Sequence, residues 1–219
     1  MPADHSVATD NNLSNSNWDL IGSLEEVIDS ATTSIDFCIY DFEHPRIAEA
    51  LVRAKNRGVR IRVVTDDHNR TDGGDYDLEI WKILVSGGII SIDDDGDIYS
   101  PDGSIIDNDL VNSGSDMHNK FAVIDYLSPS PNDDYVWTGS TNMTYTGAFN
   151  TNHTIVIKDS EVAKVYTEEF EQMWGDSDDT PEAGRSVFHK DKVNVSQNIF
   201  DVGGTKVEVY FAPINRDRT

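Results

Sequence analysis

The order of helical and extended patterns over residues 18–92 is the sequence feature that most restricts the possible folds of this chain. Apolar residues recur at helical spacing in some stretches and form short extended runs in others. The predicted order is helix, strand, helix, strand, helix, strand, with bounds 18–31, 34–42, 45–57, 59–65, 76–86 and 89–92. Because helices that alternate with strands are typical of layered α/β folds, we predict a fold of that class.

The second half of the chain extends this pattern. Strands are predicted at 117–126, 135–140 and 154–158, an amphipathic helix at 159–174 and a last strand at 206–211. The turn-rich segment 127–134 separates the first two of these strands. The two strands are therefore predicted to form a hairpin with a long tip.

Residues 93–115 are rich in Asp, Gly, Ser and Asn, and they are predicted to form a long loop. A calcium-binding EF-hand loop needs acidic residues at alternate positions, then Gly and a later Glu. Neither Gly96 nor Gly103 completes that spacing. We interpret the segment as a solvated acidic loop, and we predict no metal or other cofactor.

The charge balance is strongly acidic, with 40 acidic residues against 17 basic ones and a net charge of -23. The acids are spread along the whole chain. This favours a protein adapted to high salt, where screening removes the repulsion between carboxylates. An acidic surface that binds a partner is the alternative.

Neither targeting signals nor the cysteine content of the sequence identifies the cellular compartment of the protein. No run of apolar residues is long enough for a transmembrane helix, and residues 1–17 lack the apolar core of a secretory signal. The single cysteine, Cys38, excludes an intrachain disulfide and a cysteine-based zinc site. The compartment is left open between the cytoplasm of a halophile and secretion with a signal absent from this chain.

Two short groups of polar residues carry the chemistry. His118 and Lys120 are two apart and so face the same side of a strand, whereas Asp125, at an odd offset from His118, faces the other side. Ser140 and Asn142 are also two apart, at the end of the partner strand. If the hairpin pairs in register, His118, Lys120, Ser140 and Asn142 converge on one patch.

Such a patch suits an anionic tetrahedral group. Lys120 supplies positive charge, and Ser140 and Asn142 supply directed hydrogen-bond donors. His118 can act as a nucleophile or as a general acid–base near neutral pH. We found no carboxylate cluster in the sequence, so the predicted chemistry is phosphoryl transfer without a metal.

The pattern His118-x-Lys120-x4-Asp125, followed by Gly139-Ser140-x-Asn142, resembles the HKD motif of the phospholipase D superfamily. The similarity extends over residues 18–174. The resemblance implies an αβα sandwich, a mixed β-sheet flanked by helices on both faces. It also implies a metal-independent phosphodiester hydrolase that acts through a phosphohistidine.

The resemblance also implies a role for each matching residue. His118 attacks phosphorus, Lys120 and Asn142 hold the phosphate oxygens, and Asp125 is supportive. Asn152 stands where many members have Glu, so its role is left open. The remaining predicted substrate-binding residues are Gly139, Ser140 and His153.

A single motif is half an active site in this family. We therefore predict that either a homodimer or a second half of a longer protein completes the site. The segment 203–213 resembles the start of a second repeat. The predicted division is a disordered polar tail at 1–17, the catalytic domain at 18–175, an acidic linker at 176–204 and a further strand at 205–219.

The sequence is compatible with three functions. The first is hydrolysis of a phospholipid head group or a similar diester, which the scarcity of basic residues favours. The second is cleavage of DNA or RNA by the same mechanism, and the third is an idle half-domain that binds phosphate. The literal string His-Lys-Asp at 189–191 is interpreted as a decoy, because it lacks both the motif's spacing and a following Gly-Ser-x-Asn.

Overall fold

The computed structural model describes residues 19–68, 75–106, 116–147 and 150–212. Its main feature is an eight-stranded mixed sheet with the strand order β5-β4-β3-β2-β1-β6-β7-β8. β1 pairs parallel with β2, β2 pairs parallel with β3, and all other neighbours are antiparallel. The strands are β1 Ser34–Ile39, β2 Arg60–Thr65, β3 Ser91–Ile92, β4 Ile98–Tyr99, β5 Ile105–Ile106, β6 Lys120–Ile124, β7 Tyr135–Gly139 and β8 Thr154–Ile157.

Helices cover both faces of this sheet, which confirms the predicted fold class. They are α1 Leu20–Ser30, α2 Pro45–Asn56, α3 Asp75–Ser86 and α4 Ser160–Trp174. The sheet separates two hydrophobic cores, and alternate residues of β1 belong to different ones. Phe37 belongs to the core with α1, α2 and α3, whereas Cys38 belongs to the core with α4. All six residues of β1 are buried, as expected for a central strand with a helical layer on each side.

A buried ion pair joins the two central strands. The guanidinium of Arg62, on β2, donates to both carboxylate oxygens of Asp36, on β1, over 2.6 and 2.7 Å. The same guanidinium lies over the ring of Phe170, 4.8 Å from its centroid. Arg60 pairs with Asp179 nearer the surface. The two arginines thus serve the structure of the sheet.

The segment predicted as a long acidic loop is partly ordered into strands. β4 and β5 lie within 93–115 and extend the sheet beyond β3. The Asp93 carboxylate accepts hydrogen bonds from the backbone N–H of Asp97 over 2.9 Å and from the Tyr99 hydroxyl over 2.8 Å. These bonds close a tight turn that the composition alone does not reveal. Residues 107–115 lie outside the described part of the chain.

The predicted linker, 176–204, is instead folded against α4. Phe188 and Phe200 are 7% and 5% exposed and belong to the same apolar cluster as α4. β9, Ile199–Val202, pairs antiparallel with β10, Thr205–Glu208, in a separate hairpin. The acidic composition misled the prediction, because a few apolar residues are enough to hold the segment on the helix. The predicted tail, 1–17, lies outside the described residues.

Most arginines on the helical surface are already paired with acids. Arg46, Arg53 and Arg57 contact carboxylates across α1 and α2, and their partners are Asp19, Glu25 and Asp29. In the described parts of the chain, no helix combines the length and the apolar character needed to cross a bilayer. Adaptation to high salt stays a prediction.

Candidate functional site

The predicted site residues other than Asp125 lie at one edge of the sheet. β1 and β2 are parallel and end there, whereas β6, which runs antiparallel to β1, begins there. β7 ends and β8 begins at the same edge, because each pairs antiparallel with its neighbour. The segments 116–119 and 140–142 therefore lie beside the residues that follow β1 and β2. The predicted hairpin is present, with Phe121 opposite Thr138. Continued beyond the two strands, this register sets Ser140 opposite Asn119 and not opposite His118 or Lys120, so convergence of the four predicted residues on one patch stays a prediction.

Tyr40, directly after β1, is the centre of the site. The imidazole of His118 packs on its ring with the centroids 4.4 Å apart, and the Lys120 Nζ lies 4.8 Å from the same ring centroid. His68 follows β2, and the centroid of its ring lies 4.6 Å from the centroid of the Tyr40 ring. His118 and Lys120 are thus brought together, although β6 starts only at Lys120 and His118 precedes it. No pattern in the sequence pointed to Tyr40 or His68 as site residues.

The protonation states of the two motif residues suit attack on a phosphate. Burial, and next the positive charge of Lys120, lower the pKa of His118 below its usual value. Burial lowers the pKa of Lys120 to about 8. The Lys120 residue is only 7% exposed, and its Nζ donates to the His118 carbonyl over 3.1 Å. At neutral pH a neutral imidazole therefore lies beside an ammonium group.

His68 brings a second positive charge to the aromatic ring. Its Nδ1 lies 2.7 Å from Asp66 Oδ1, and its Nε2 lies 3.7 Å from Asp41 Oδ1. The neighbouring carboxylates of Asp41 and Asp66 raise the pKa of His68 to about 10. His68 is therefore an imidazolium at neutral pH. Its position after a strand parallel to β1 was the available signal, because parallel strands end at the same edge.

Two carboxylates fix the backbone just before His118. The N–H of Met117 donates to Asp66 Oδ2 over 2.7 Å and to Asp94 Oδ2 over 3.2 Å. Burial, and next the charge of Asp66, raise the pKa of Asp94 to about 8. Hydrogen bonds from His68 and Met117 outweigh the effect of burial on Asp66 and hold its pKa below the usual value.

A group of carboxylates that can share a cation is present after all. One carboxylate oxygen from each of Asp66, Asp67 and Asp94 lies within 4.8 Å of the other two. Among the described residues, this is the group of side chains whose geometry could hold a metal ion. The sequence prediction of no carboxylate cluster is therefore wrong, since the group joins residues after β2 and β3. Asp66 and Asp94 already accept hydrogen bonds from Met117, so the group also has a purely structural use.

Gly139 lets β8 approach β7 at the site. A Cβ at this position would lie 2.1 Å from the carbonyl oxygen of His153, which no side chain can tolerate. The N–H of Ser140 then donates to that same carbonyl over 3.0 Å. The glycine of the Gly-Ser-x-Asn pattern is thus required by the close packing of two backbones.

Ser140, Asn152 and His153 form a hydrogen-bonded set. The Ser140 hydroxyl lies 3.1 Å from Asn152 Oδ1 and 3.2 Å from His153 Nδ1, and it accepts from the N–H of His153 over 3.1 Å. Asn152 Nδ2 also donates to the carbonyl of Gly147 over 2.9 Å. Asn152 therefore holds the segment that follows β7. Contact of these residues with a substrate stays a prediction.

Asn142 and Asp125 lie in contrasting places. Asn142 is at the site edge, where its Oδ1 is buried and accepts no hydrogen bond from the described residues. Asp125 follows β6 at the opposite edge of the sheet. Its carboxylate accepts from the backbone N–H groups of Thr32, Thr33 and Ser34 over 2.6 to 3.1 Å. Asp125 thus lies apart from the other predicted catalytic residues, in a place that fits support of the fold.

Comparison with known proteins gives matches over most of the chain. A family model described as "Cardiolipin synthase, PLD-like domain" matches residues 24–174. The mitochondrial cardiolipin hydrolase of Xenopus tropicalis is 33% identical over 149 residues, which are 68% of this chain and 58% of that protein. The Homo sapiens protein of the same name is 30% identical over 147 residues, 66% of this chain and 47% of that protein. The matched region therefore spans about half of these relatives.

A solved structure shares the architecture. Nuc, a phospholipase D family member from Salmonella typhimurium, superposes with a TM-score of 0.55 at 26% sequence identity. The match covers 70% of this chain and 85% of that one. The sheet and its helices thus correspond to nearly all of a smaller protein, whereas residues beyond α4 lie outside the matched family model.

Proposed function

Because this chain belongs to the family of phospholipase D-like domains, we propose that it is a phosphodiester hydrolase that acts through a phosphohistidine on His118. The observation that carries the proposal is the convergence of His118 and Lys120 on Tyr40. A neutral imidazole can attack the phosphorus of a phosphodiester, and a buried ammonium beside it can stabilise the negative charge on the phosphate oxygens.

In the proposed reaction a ring nitrogen of His118 forms a bond to phosphorus. The bond from phosphorus to the leaving oxygen breaks, and a second imidazolium gives that oxygen its proton. In the second step the same imidazole takes a proton from water, and the resulting hydroxide displaces His118 from phosphorus. Lys120 and Asn142 hold the phosphate oxygens, and their charge and dipole stabilise the crowded phosphorus.

The second imidazole comes from a partner in this proposal. A second copy of the chain, or a second half of a longer protein, places its motif histidine across the phosphate from His118. The exposed side chain of His118 supports this, since an exposed nucleophile is open to a facing half-site. A dimer predicts specific activity that rises with protein concentration.

We propose a phospholipid diester as the substrate. Two features support a lipid rather than a nucleic acid. The named relatives are cardiolipin hydrolases, and arginines on the helical surface are neutralised by acids. Cleavage of DNA or RNA is the alternative, because the same chemistry acts on any accessible phosphodiester.

One assay tests these proposals together. Purified chain in high salt is offered a chromogenic diester, cardiolipin vesicles, phosphatidylcholine vesicles and single-stranded DNA, at several protein concentrations with masses from light scattering. We expect hydrolysis of cardiolipin and the chromogenic diester, with specific activity that follows the dimer mass. Cleavage of DNA alone would replace the substrate proposal. Phosphate binding without turnover, at every concentration, would favour an idle half-domain.

The pH dependence of kcat/KM should be bell-shaped. Activity rises as the attacking His118 loses its proton, below its usual pKa of about 6.5. It falls first as the second motif imidazolium loses the proton that it must give, and then as Lys120 loses its proton near pH 8. Rates with the chromogenic diester from pH 4.5 to 10 measure both limbs. In Lys120→Arg the part of the alkaline limb near pH 8 should move up or disappear, because a guanidinium keeps its proton. An unchanged alkaline limb in that variant would contradict the assignment to Lys120.

A further inference from the structure

Asn119, between the two predicted catalytic side chains, is held from two directions. Its Nδ2 donates to Glu169 Oε1, on α4, over 3.0 Å. Its backbone carbonyl accepts from the N–H of Tyr40 over 3.0 Å. His118 and Lys120 contact Tyr40, whereas the side chain of Asn119 contacts the helical layer. The orientation of the motif therefore depends in part on Glu169.

Glu169 is a buried carboxylate that needs a counter-charge. The residue is 1% exposed, and a carboxylate removed from water is stable only when it is paired and hydrogen-bonded. Lys192 supplies the charge: its Nζ makes a short ion pair with Oε1, the oxygen that also accepts from Asn119. The Lys192 side chain is 8% exposed, so solvent screens this pair little.

Lys192 belongs to the segment that follows the matched family domain. That match ends at residue 174. The segment is attached to α4, where the N–H of Val193 donates to Gln172 Oε1 over 2.6 Å, and Phe188 is buried nearby. The position of the ammonium is thus set by the packing of this segment on the helix.

We propose that Lys192 is a positioning residue for the catalytic motif. It gives the buried Glu169 carboxylate its counter-charge, and that carboxylate fixes the Asn119 amide and the backbone between His118 and Lys120. Without the ammonium the carboxylate is a buried group that lacks its charged partner, which is costly, so the position of Glu169 and its hold on Asn119 are expected to change. The kinetic part of this inference rests on the proposed function.

The kinetic test replaces Lys192 with Met and uses Lys190→Met, an exposed position in the same turn, as the matched control. We expect kcat to fall by about 10- to 100-fold in Lys192→Met, because small misplacements of reacting groups cost rates of that order. KM should change by less than about threefold, since the phosphate-binding groups are kept. Adding Glu169→Gln should restore most of kcat, because the amide oxygen can accept from Asn119 without needing a counter-charge.

A second measurement does not depend on turnover. NMR signals of the His118 imidazole should be single and sharp in the unaltered chain, in Lys190→Met and in the Lys192→Met/Glu169→Gln pair. The signals should be broadened or doubled in Lys192→Met and in Asn119→Ala. Asn119→Ala keeps the ion pair between Lys192 and Glu169, so it tests the proposal even if Lys192→Met does not fold. Unchanged signals and kcat in folded Lys192→Met, or in Asn119→Ala, would overturn the proposal. If the unaltered chain hydrolyses no diester, the proposed function fails and these signals alone decide the positioning role.

Discussion

His118→Ala should abolish diester hydrolysis, with kcat lowered by at least about 10⁴-fold, as for other enzymes that lose their nucleophile. The reason is that no phosphohistidine can form without the imidazole. The loss should not come from unfolding, since the His118 side chain is exposed and packs mainly on one face of Tyr40. Rates with the chromogenic diester, together with the melting temperature, measure both effects.

The matched control for this variant is Lys190→Ala. Lys190 is exposed and is the central residue of the literal His-Lys-Asp string, so its loss should leave kcat within about twofold of the unaltered chain. Added imidazole should restore part of the activity of His118→Ala, because a free ring can enter the space left by the side chain. Substantial activity in a folded His118→Ala protein would remove the nucleophile assignment.

Asp125→Ala should act on stability instead of chemistry. The Asp125 carboxylate accepts from three consecutive backbone N–H groups and from the hydroxyls of Thr32 and Thr33. Removal leaves buried donors without a partner, so we expect a loss of about 3 kcal/mol or more in the free energy of unfolding. For a chain of this size that is a fall of about 10 °C in melting temperature.

The effect of Asp125→Ala should depend on pH in one direction. Burial acts to raise the pKa of Asp125, but the hydrogen bonds from Thr33 and its neighbours outweigh it and lower the pKa. Because the folded-state pKa is depressed, the stabilisation is present above the unfolded pKa of about 3.9 and is lost as pH falls through the folded value. Denaturant melts of both proteins at pH 7 and at pH 3 should show a smaller difference at pH 3.

Asp125→Asn is the conservative comparison. It keeps one oxygen as an acceptor and should therefore lose less stability than Asp125→Ala. Well below its melting temperature, Asp125→Ala should keep kcat within about threefold of the unaltered chain. A large fall in kcat with an unchanged melting temperature would place Asp125 in the reaction itself.

Much of the fold follows from local pattern. The helical period of 159–174 records which side of the helix is buried, and α4 and β2 lie within a residue or two of the predicted bounds 159–174 and 59–65. The apolar and basic alternation of 59–65 does not mark an exposed side, since Arg62 is buried with its partner Asp36. The very short strands β4 and β5 were missed, since two residues carry no period. The folded segment at 176–204 was also missed, because its few apolar residues are spaced irregularly and its acids suggested a linker.

For the site, the sequence by itself determined the motif and the pairing of His118 with Lys120, because the spacing of two residues along an extended segment is a local property. It also separated Asp125 from them by the odd offset. Only the tertiary structure decided that Tyr40 and His68 line the site, that Asp66 and Asp94 hold Met117, and that Lys192 reaches Asn119 through Glu169. Asn119 and Glu169 are 50 residues apart in the chain. Such contacts depend on how strands are ordered in the sheet and how the helix lies on it, and no local spacing records that order.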